Sequence, residues 1–404
     1  MDLYSGLPYW LIKNSLYNYF NPLKEDYNDD IVIIGSGITG ALVANELCDA
    51  GFKCTMIDKR SISTGSSVAS TALLQYEIDT PLSELAEKMG EEKAVKSYEC
   101  CLKSISDIKN RFEEIGFDPD FKEVPSVYYA SNRSGYKLIK KEYEIRKRNN
   151  LPVTFLSKDE LYDKYKIKSP GALENNVSAQ MDAYAGATHL ISHRLDKKQL
   201  KVFSHTEITE YKKKGEIVEL TTKDGYKITC KHLIIAAGFE AGTFLPKPVM
   251  KLTSTYAIIS EPIEEELLWQ NRSLIWETKD PYLYIRTTNN NRIMVGGEDE
   301  DFKNPEKRDS LLRKKVNILE KKMKKLLPDV PFKTEMAWCG TFSSTEDGLP
   351  FIGTIKDNDN ILYALGYGGN GITFSMIAAQ IITNKISGKY DEREDIFGFQ
   401  RIGF

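Results

Sequence analysis

DDIVIIGSGITGALVANELCDAGFKCTMIDKR, residues Asp29 to Arg60, reads as strand, tight turn, helix and strand. Ile31 to Ile34 form an unbroken apolar run, as a parallel strand buried on both faces requires. The turn, Gly35-Ser36-Gly37-Ile38-Thr39-Gly40, has the G-x-G-x-x-G spacing. Its glycines permit a tight turn, close approach of a pyrophosphate and close packing of helix on strand, and the helix N-terminus supplies positive potential. Leu42, Val43 and Leu47 mark one side of the helix, Gly51 stops it, and Lys53 to Asp58 make the second strand. Asp58 then stands where a carboxylate accepts hydrogen bonds from ribose hydroxyls. Strand, glycines, helix and acid together predict a βαβ unit that binds an adenine dinucleotide.

Working outward, DKRSISTGSSVASTALLQ follows directly and is dense in small hydroxyl residues suited to phosphates or a ring edge. Helical spacing is expected from Pro81 to about Gly116 and from about Gly135 to Arg148. PSVYYAS, TEITEYK, EIVELTT, YKITC and HLIIAAG read as strands, and YLYIRTTNNNRIMVGG as a hairpin around an Asn-rich turn. KRDSLLRKKVNILEKKMKKLLPDVP is an amphipathic helix whose lysines are expected on a solvated face. NILYAL is a last strand, delivering GYGGNGITF and an apolar helix.

The chain has 404 residues, enough for two domains with sizeable cores. With 55 basic and 58 acidic residues its net charge is −3, which favours neither nucleic acid nor an acidic membrane and leaves a small molecule as the expected partner. Cysteines at 48, 54, 100, 101, 230 and 339 show no metal spacing or disulfide framework, so a reducing cytoplasm is the expected location and no metal is expected. No apolar run spans a membrane. The aromatic N-terminus, LPYWLIKNSLYNYF, offers peripheral membrane contact as one reading; packing of Trp10, Leu11 and Tyr17 on the protein's own surface is the one preferred.

GSGITG with Asp58, the serine-rich segment, LIIAAG, EDGLPFIG and GYGGNGITF follow the order seen in the FAD-dependent amine and amino-acid oxidoreductases, which this chain resembles from residue 31 to about 385. That family includes D-amino-acid oxidase, glycine oxidase and sarcosine oxidase. The resemblance implies an α/β fold: a discontinuous Rossmann-type FAD domain over 1–80, 150–247 and 335–404. It also implies an α+β substrate domain with a mainly antiparallel sheet over 81–149 and 248–334. Carried over, Gly35, Gly37 and Gly40, with Ile38 and Thr39, would face the pyrophosphate; Asp58, with Lys59 and Arg60 after it, the adenosine ribose. Ser66, Ser67, Ser70, Thr71, Ala72 and Leu73 would wrap phosphates and flavin, Ile208 would meet adenine, and Ala237 and Gly238 would lie near the ribose and pyrophosphate. Gly366, Gly368, Gly369, Asn370, Gly371, Ile372 and Thr373 would lie against the flavin, with Tyr367 where many relatives carry histidine. Where some relatives attach FAD through cysteine this chain has Gly340, and Cys339 is one residue off, so dissociable FAD is expected.

For the substrate, Tyr282, Tyr284 and Arg286 alternate and so share one strand face. An arginine between phenols suits a carboxylate, which makes Arg286, with Tyr284 beside it, the expected clamp and Arg292 its understudy. His189 and His193, on an expected helix, read as structural. The implied reaction is hydride transfer from an amino acid or secondary amine to the flavin, followed by imine hydrolysis. Two other readings stay open: an NAD-dependent dehydrogenase, which leaves EDGLPFIG and GYGGNGITF without a task, and a flavin-binding protein without turnover.

Overall fold

The computed structural model describes residues 2–16, 19–356 and 358–403. Among them, a six-stranded sheet runs in the order Phe351–Thr354, Ile361–Leu365, His232–Ile235, Ile31–Ile34, Cys54–Ile57, Leu200–Phe203, parallel apart from the first strand. Every residue of Ile31–Ile34 and Cys54–Ile57 is buried, as apolar runs without alternation require. One face is covered by the helices Ile38–Asp49, Glu91–Glu114, Ala183–Asp196 and Gly371–Ile386. The other face packs on a four-stranded sheet built mainly from Ile208–Lys214, Ile217–Thr222 and Lys227–Cys230.

The second unit is a ten-stranded sheet, largely antiparallel, centred on Thr334–Ser344, Lys251–Ser260, Ile293–Glu300 and Tyr284–Thr287. Helix Pro305–Leu326 closes one of its faces through Leu319 and Met323. The opposite face looks towards the parallel sheet. The Asn-rich hairpin forms as expected, pairing Tyr284–Thr287 with Ile293–Glu300.

Strand pairing shifts the expected domain boundaries. Thr154–Ser157, Gly171–Gln180 and Thr334–Ser344, assigned by sequence to or across the edge of the dinucleotide unit, belong to the large sheet, while helix Glu91–Glu114 packs against the dinucleotide unit's helices. Amphipathic helices carry no label for the sheet that they will cover, which is why the sequence placed this one wrongly. The expected helix from Pro81 also breaks in two at Gly90, whose φ of +88° a helix interior does not accommodate. On the basic helix the solvated-face reading of the lysines fails at Lys315, 6% exposed and 2.7 Å from Glu300; Arg308, 1% exposed, is buried too. At the N-terminus Trp10 is buried and Leu11 partly so, against the large sheet, whereas Tyr17 lies outside the described residues.

Candidate functional site

Between the two units lies a cavity of about 470 Å³, in the size range of small-molecule sites. It starts at the carboxyl ends of the parallel strands, with Gly35, Gly37, Ile38, Thr39, Asp58, Lys59, Arg60, Ile208, Ala237 and Gly238 in its wall. Gly35 has φ +107°, and a Cβ there would stand 2.3 Å from the Ala236 carbonyl oxygen, so only glycine fits. Asp58 fixes the same turn, accepting from Ser36 N and Oγ at 2.8 and 2.7 Å and from Arg60 N at 2.9 Å. Gly40 departs from the expected role. A Cβ on it would clash with the Gly35 oxygen, and the residue does not line the cavity; it lets the helix sit on the strand.

Lys59 and Arg60 are both engaged by Glu240, at 2.8 Å each. Burial pushes the Glu240 carboxyl up, but the hydrogen bonds from Arg60 and Lys59 outweigh that and hold it down to about 2. Glu240 carried no signal in the sequence. Its partners come from a different strand end, so only the fold brings the three together.

The middle of the wall is the serine-rich segment, with Ser66, Ser67, Ser70, Thr71, Ala72 and Leu73 all lining the cavity. Ser67 Oγ accepts from Ile38 N at 2.9 Å. Behind this segment, three donors take its carbonyls: Trp338 Nε1 binds Ala69 O at 2.8 Å, Trp10 Nε1 binds Ser70 O at 2.7 Å, and Arg286 Nη1 binds Thr71 O and Ala72 O at 2.8 and 2.9 Å. Ala72 has φ +53°, a conformation an L-residue keeps only when its surroundings impose it.

Arg286 is therefore not a carboxylate clamp. It does share a strand face with Tyr284, but it is 1% exposed, donates as well to Met181 O and Thr287 O, and does not reach the cavity. Burial lowers its pKa to about 10, with Asp182 and Asp120 opposing, so it stays cationic at neutral pH. Arg292 is engaged elsewhere too, by Glu335 and the Ser260 carbonyl. Among the described residues lining the cavity, the only lysine and arginine are Lys59 and Arg60. His189 bonds Ala185 O and stacks on Phe117, in agreement with a structural role.

At its far end the cavity is walled by Thr255, Tyr282, Tyr284, Asp299, Gly340, Tyr367, Gly368, Gly369, Gly371 and Ile372. Burial pushes the phenols of Tyr282, Tyr284 and Tyr367 up, which keeps them neutral. Asp79 joins this end, accepting from Tyr282 Oη at 2.9 Å and Gly369 N at 2.7 Å. It also explains two glycines: a Cβ on Gly368 or Gly369 would come within 2.5 Å of its carboxylate. Gly371 differs, since a Cβ there meets nothing within 4 Å.

Gly366, Asn370 and Thr373 fall outside the wall. Gly366 takes φ +78° to turn the chain, Asn370 Nδ2 holds the Glu77 carbonyl at 2.7 Å, and Thr373 Oγ1 caps Asn370 O at 2.9 Å. Gly340 faces the cavity while Cys339 points the other way, into the layer under helix Pro305–Leu326, 3.4 Å from Asp309. Sequence reasoning missed Asp79 and Asp299.

Donors at one helix start, a carboxylate at the second strand end and glycine backbone at a second helix start match the phosphates, ribose and ring of FAD. The open space in front of Gly371 leaves room for the ring. Comparison with known proteins agrees. A family model described as DAO, FAD dependent oxidoreductase, matches residues 30–385. A probable oxidoreductase, OrdL, of Haemophilus influenzae is 24% identical over 94% of this chain and 87% of its own. A glycine oxidase of Bacillus licheniformis is 24% identical over 92% of this chain and 96% of its own. Among solved structures, glycine oxidase from Geobacillus kaustophilus superposes with a TM-score of 0.78 at 18% identity, covering 93% of this chain and 99% of that one. Among the described residues, no helix is long and apolar enough to cross a membrane.

Proposed function

Since the chain belongs to the DAO family of FAD-dependent oxidoreductases, we propose that it oxidises the carbon–nitrogen bond of an amine or amino acid. The observation that carries this is the cavity itself, which joins a dinucleotide-binding turn to a wall of phenols and carboxylate on the antiparallel sheet. The NAD-linked alternative falls with the family. When bound, FAD supplies the acceptor for a hydride leaving the carbon next to nitrogen.

The rest is the work of this chain's residues. Gly37 and Ser67, the latter fixed by Ile38 N, would hold the diphosphate, Asp58 the ribose, Ile208 the adenine, and Ser70 to Leu73 the flank of the ring. Gly371 opens a helix whose N-terminus favours negative charge by about 1 kcal/mol, so reduction is eased from that end. Tyr282, Tyr284 and Thr255 orient the substrate and keep water from the reacting carbon until the imine has formed; water then adds to it, and a carbonyl compound and an amine leave. With neutral phenols around it, the substrate gains mainly from positioning. Six buried, unpaired cysteines suit the reducing cytoplasm where we place the enzyme.

The test is anaerobic mixing of FAD-loaded protein with glycine, sarcosine, proline, D-amino acids, alkylamines and diamines. Bleaching of the yellow colour by at least one class is expected. Indifference to all of them would favour a flavin-binding protein without turnover. The cavity wall contains no cysteine among its described residues, and we expect FAD to be held without a covalent bond. Acid precipitation should leave a colourless pellet and a yellow supernatant, and a yellow pellet would refute non-covalent binding.

A further inference from the structure

Strand Ile293–Glu300 changes face partway along. Ile293 and Val295 pack under helix Pro305–Leu326, while Met294 lies on the opposite side with Trp338 and Ala257. Gly296, covered by the Tyr284 ring, continues that even-numbered face. Strict alternation would point Glu298 at the cavity and Asp299 at the helix. The reverse is found: Glu298 pairs with Lys315 and Lys322 of the helix, and Asp299 lines the cavity.

The cause is a β-bulge. Between Ser254 and Tyr256 the partner strand advances from Glu300 to Gly297, three residues against two. The extra residue is accommodated by Gly297 at φ +132° and Glu298 at φ +60°, the latter a left-handed conformation that glutamate rarely adopts. The two lysines hold it from outside. The fold thus uses a bulge and a strained residue to aim one carboxylate inward, and bulges of this kind re-aim side chains beside active sites.

That carboxylate lacks a full set of partners. Asp299 Oδ1 is buried, with no hydrogen-bond partner among the described residues. Its neighbours are Thr255 on one strand, Tyr284 on another with Tyr282 in the loop before it, Asp79 and Asp280 from loops, and Lys315 from the helix, which is committed to Glu300 and Glu298. The nearby wall offers an anionic ligand no cation, because Lys59 and Arg60 sit at the adenosine end with Glu240.

We propose that Asp299 is a specificity-determining residue that receives a positively charged group of the substrate. The preferred substrate is then an amine bearing a second cationic group and no free carboxylate, not an amino acid held by its carboxylate. This rests on the carbon–nitrogen oxidation proposed above. A cation there completes the Oδ1 coordination and offsets the burial that pushes the Asp299 carboxyl up to about 6.

The probes are cadaverine, pentylamine and 5-aminovalerate, which share a chain and differ in the charge at one end. Calorimetric binding to FAD-loaded protein should favour cadaverine over 5-aminovalerate by roughly tenfold or more, the scale of a charged hydrogen bond, with pentylamine between. Asp299→Asn should bring that ratio towards unity with melting temperature and flavin spectrum unchanged. No cadaverine binding, a ratio favouring 5-aminovalerate, or a ratio untouched in a folded variant would overturn the proposal. If the variant misfolds, the wild-type pH profile decides: cadaverine affinity should rise as pH climbs through about 6 and Asp299 ionises, and a flat profile counts against it. Anaerobic bleaching by the same compounds is read separately. The expected binding order without bleaching would remove the oxidation reading and keep this one; bleaching with the reversed order would do the opposite.

Discussion

Gly371→Leu should give a protein that folds normally and purifies without colour. The residue opens helix Gly371–Ile386 with φ −51° and ψ −38°, a backbone that leucine adopts without strain. Nothing lies within 4 Å of a Cβ placed there, so the protein alone offers no clash. Replacing glycine by leucine inside a helix even gains up to about 1 kcal/mol of propensity. The new side chain has one place to go, the cavity in front of the helix. If that space belongs to the flavin ring, overfilling it costs about 1–3 kcal/mol, or roughly one to two orders of magnitude in FAD affinity. Melting temperature of the FAD-free protein and flavin retained after dialysis measure the two effects separately. A yellow variant with unaltered FAD affinity would place the ring elsewhere.

The second large effect is expected at Arg286, and it is one of stability. Alanine there strands the carbonyls of Thr71 and Met181, bonded to the guanidinium at 2.8 Å, and leaves Ala72 O, at 2.9 Å from it, with only the longer 3.4 Å bond from Met181 N. Orphaned buried acceptors cost about 1–3 kcal/mol each before relaxation. Ala72, at φ +53°, loses the contact that helps to hold its turn. Arg286→Ala should therefore melt well below the wild type and lose FAD on dilution. Lysine, with one ammonium in place of a planar fork, should restore only part of this. Thermal melting and flavin retention give the answer. A stable, yellow variant defective solely in binding carboxylate substrates would revive the clamp and rule out the structural role of Arg286.

The misreading of Arg286 shows where sequence reasoning stops. Alternation correctly puts it on the face of Tyr284, yet a face does not say how far along it the cavity extends. The segment that covers Arg286 arrives from residues 71 and 72, more than two hundred positions away, and nothing local announces it. Asp299 was hidden for a related reason: the bulge inverts the period-two rule on which strand reading depends. Asp79 sits in a loop and braces the wall from behind, accepting from Gly369 N and Tyr282 Oη.

By contrast, Asp29 to Arg60 could be read almost completely, since each of its features is local. The apolar run needs burial, Gly35 needs positive φ, and Asp58 reaches back only to Ser36. GYGGNGITF was legible as a motif but not in its parts. Gly368 and Gly369 answer to Asp79, whereas Gly371 faces open space, a division that glycine count alone does not reveal.

The central claim, that this cavity holds FAD and uses it to oxidise a carbon–nitrogen bond, is tested most directly by a single anaerobic turnover. FAD-loaded protein is mixed with an amine from the panel in slight excess, and bleaching is compared with product. One carbonyl group and one free amine or ammonia should form for each flavin bleached, the two sharing one ring-opened molecule where the substrate is cyclic, as proline is. Bleaching without formation of an imine or carbonyl product, or flavin that stays oxidised with every amine and amino acid while the protein remains folded, would contradict it.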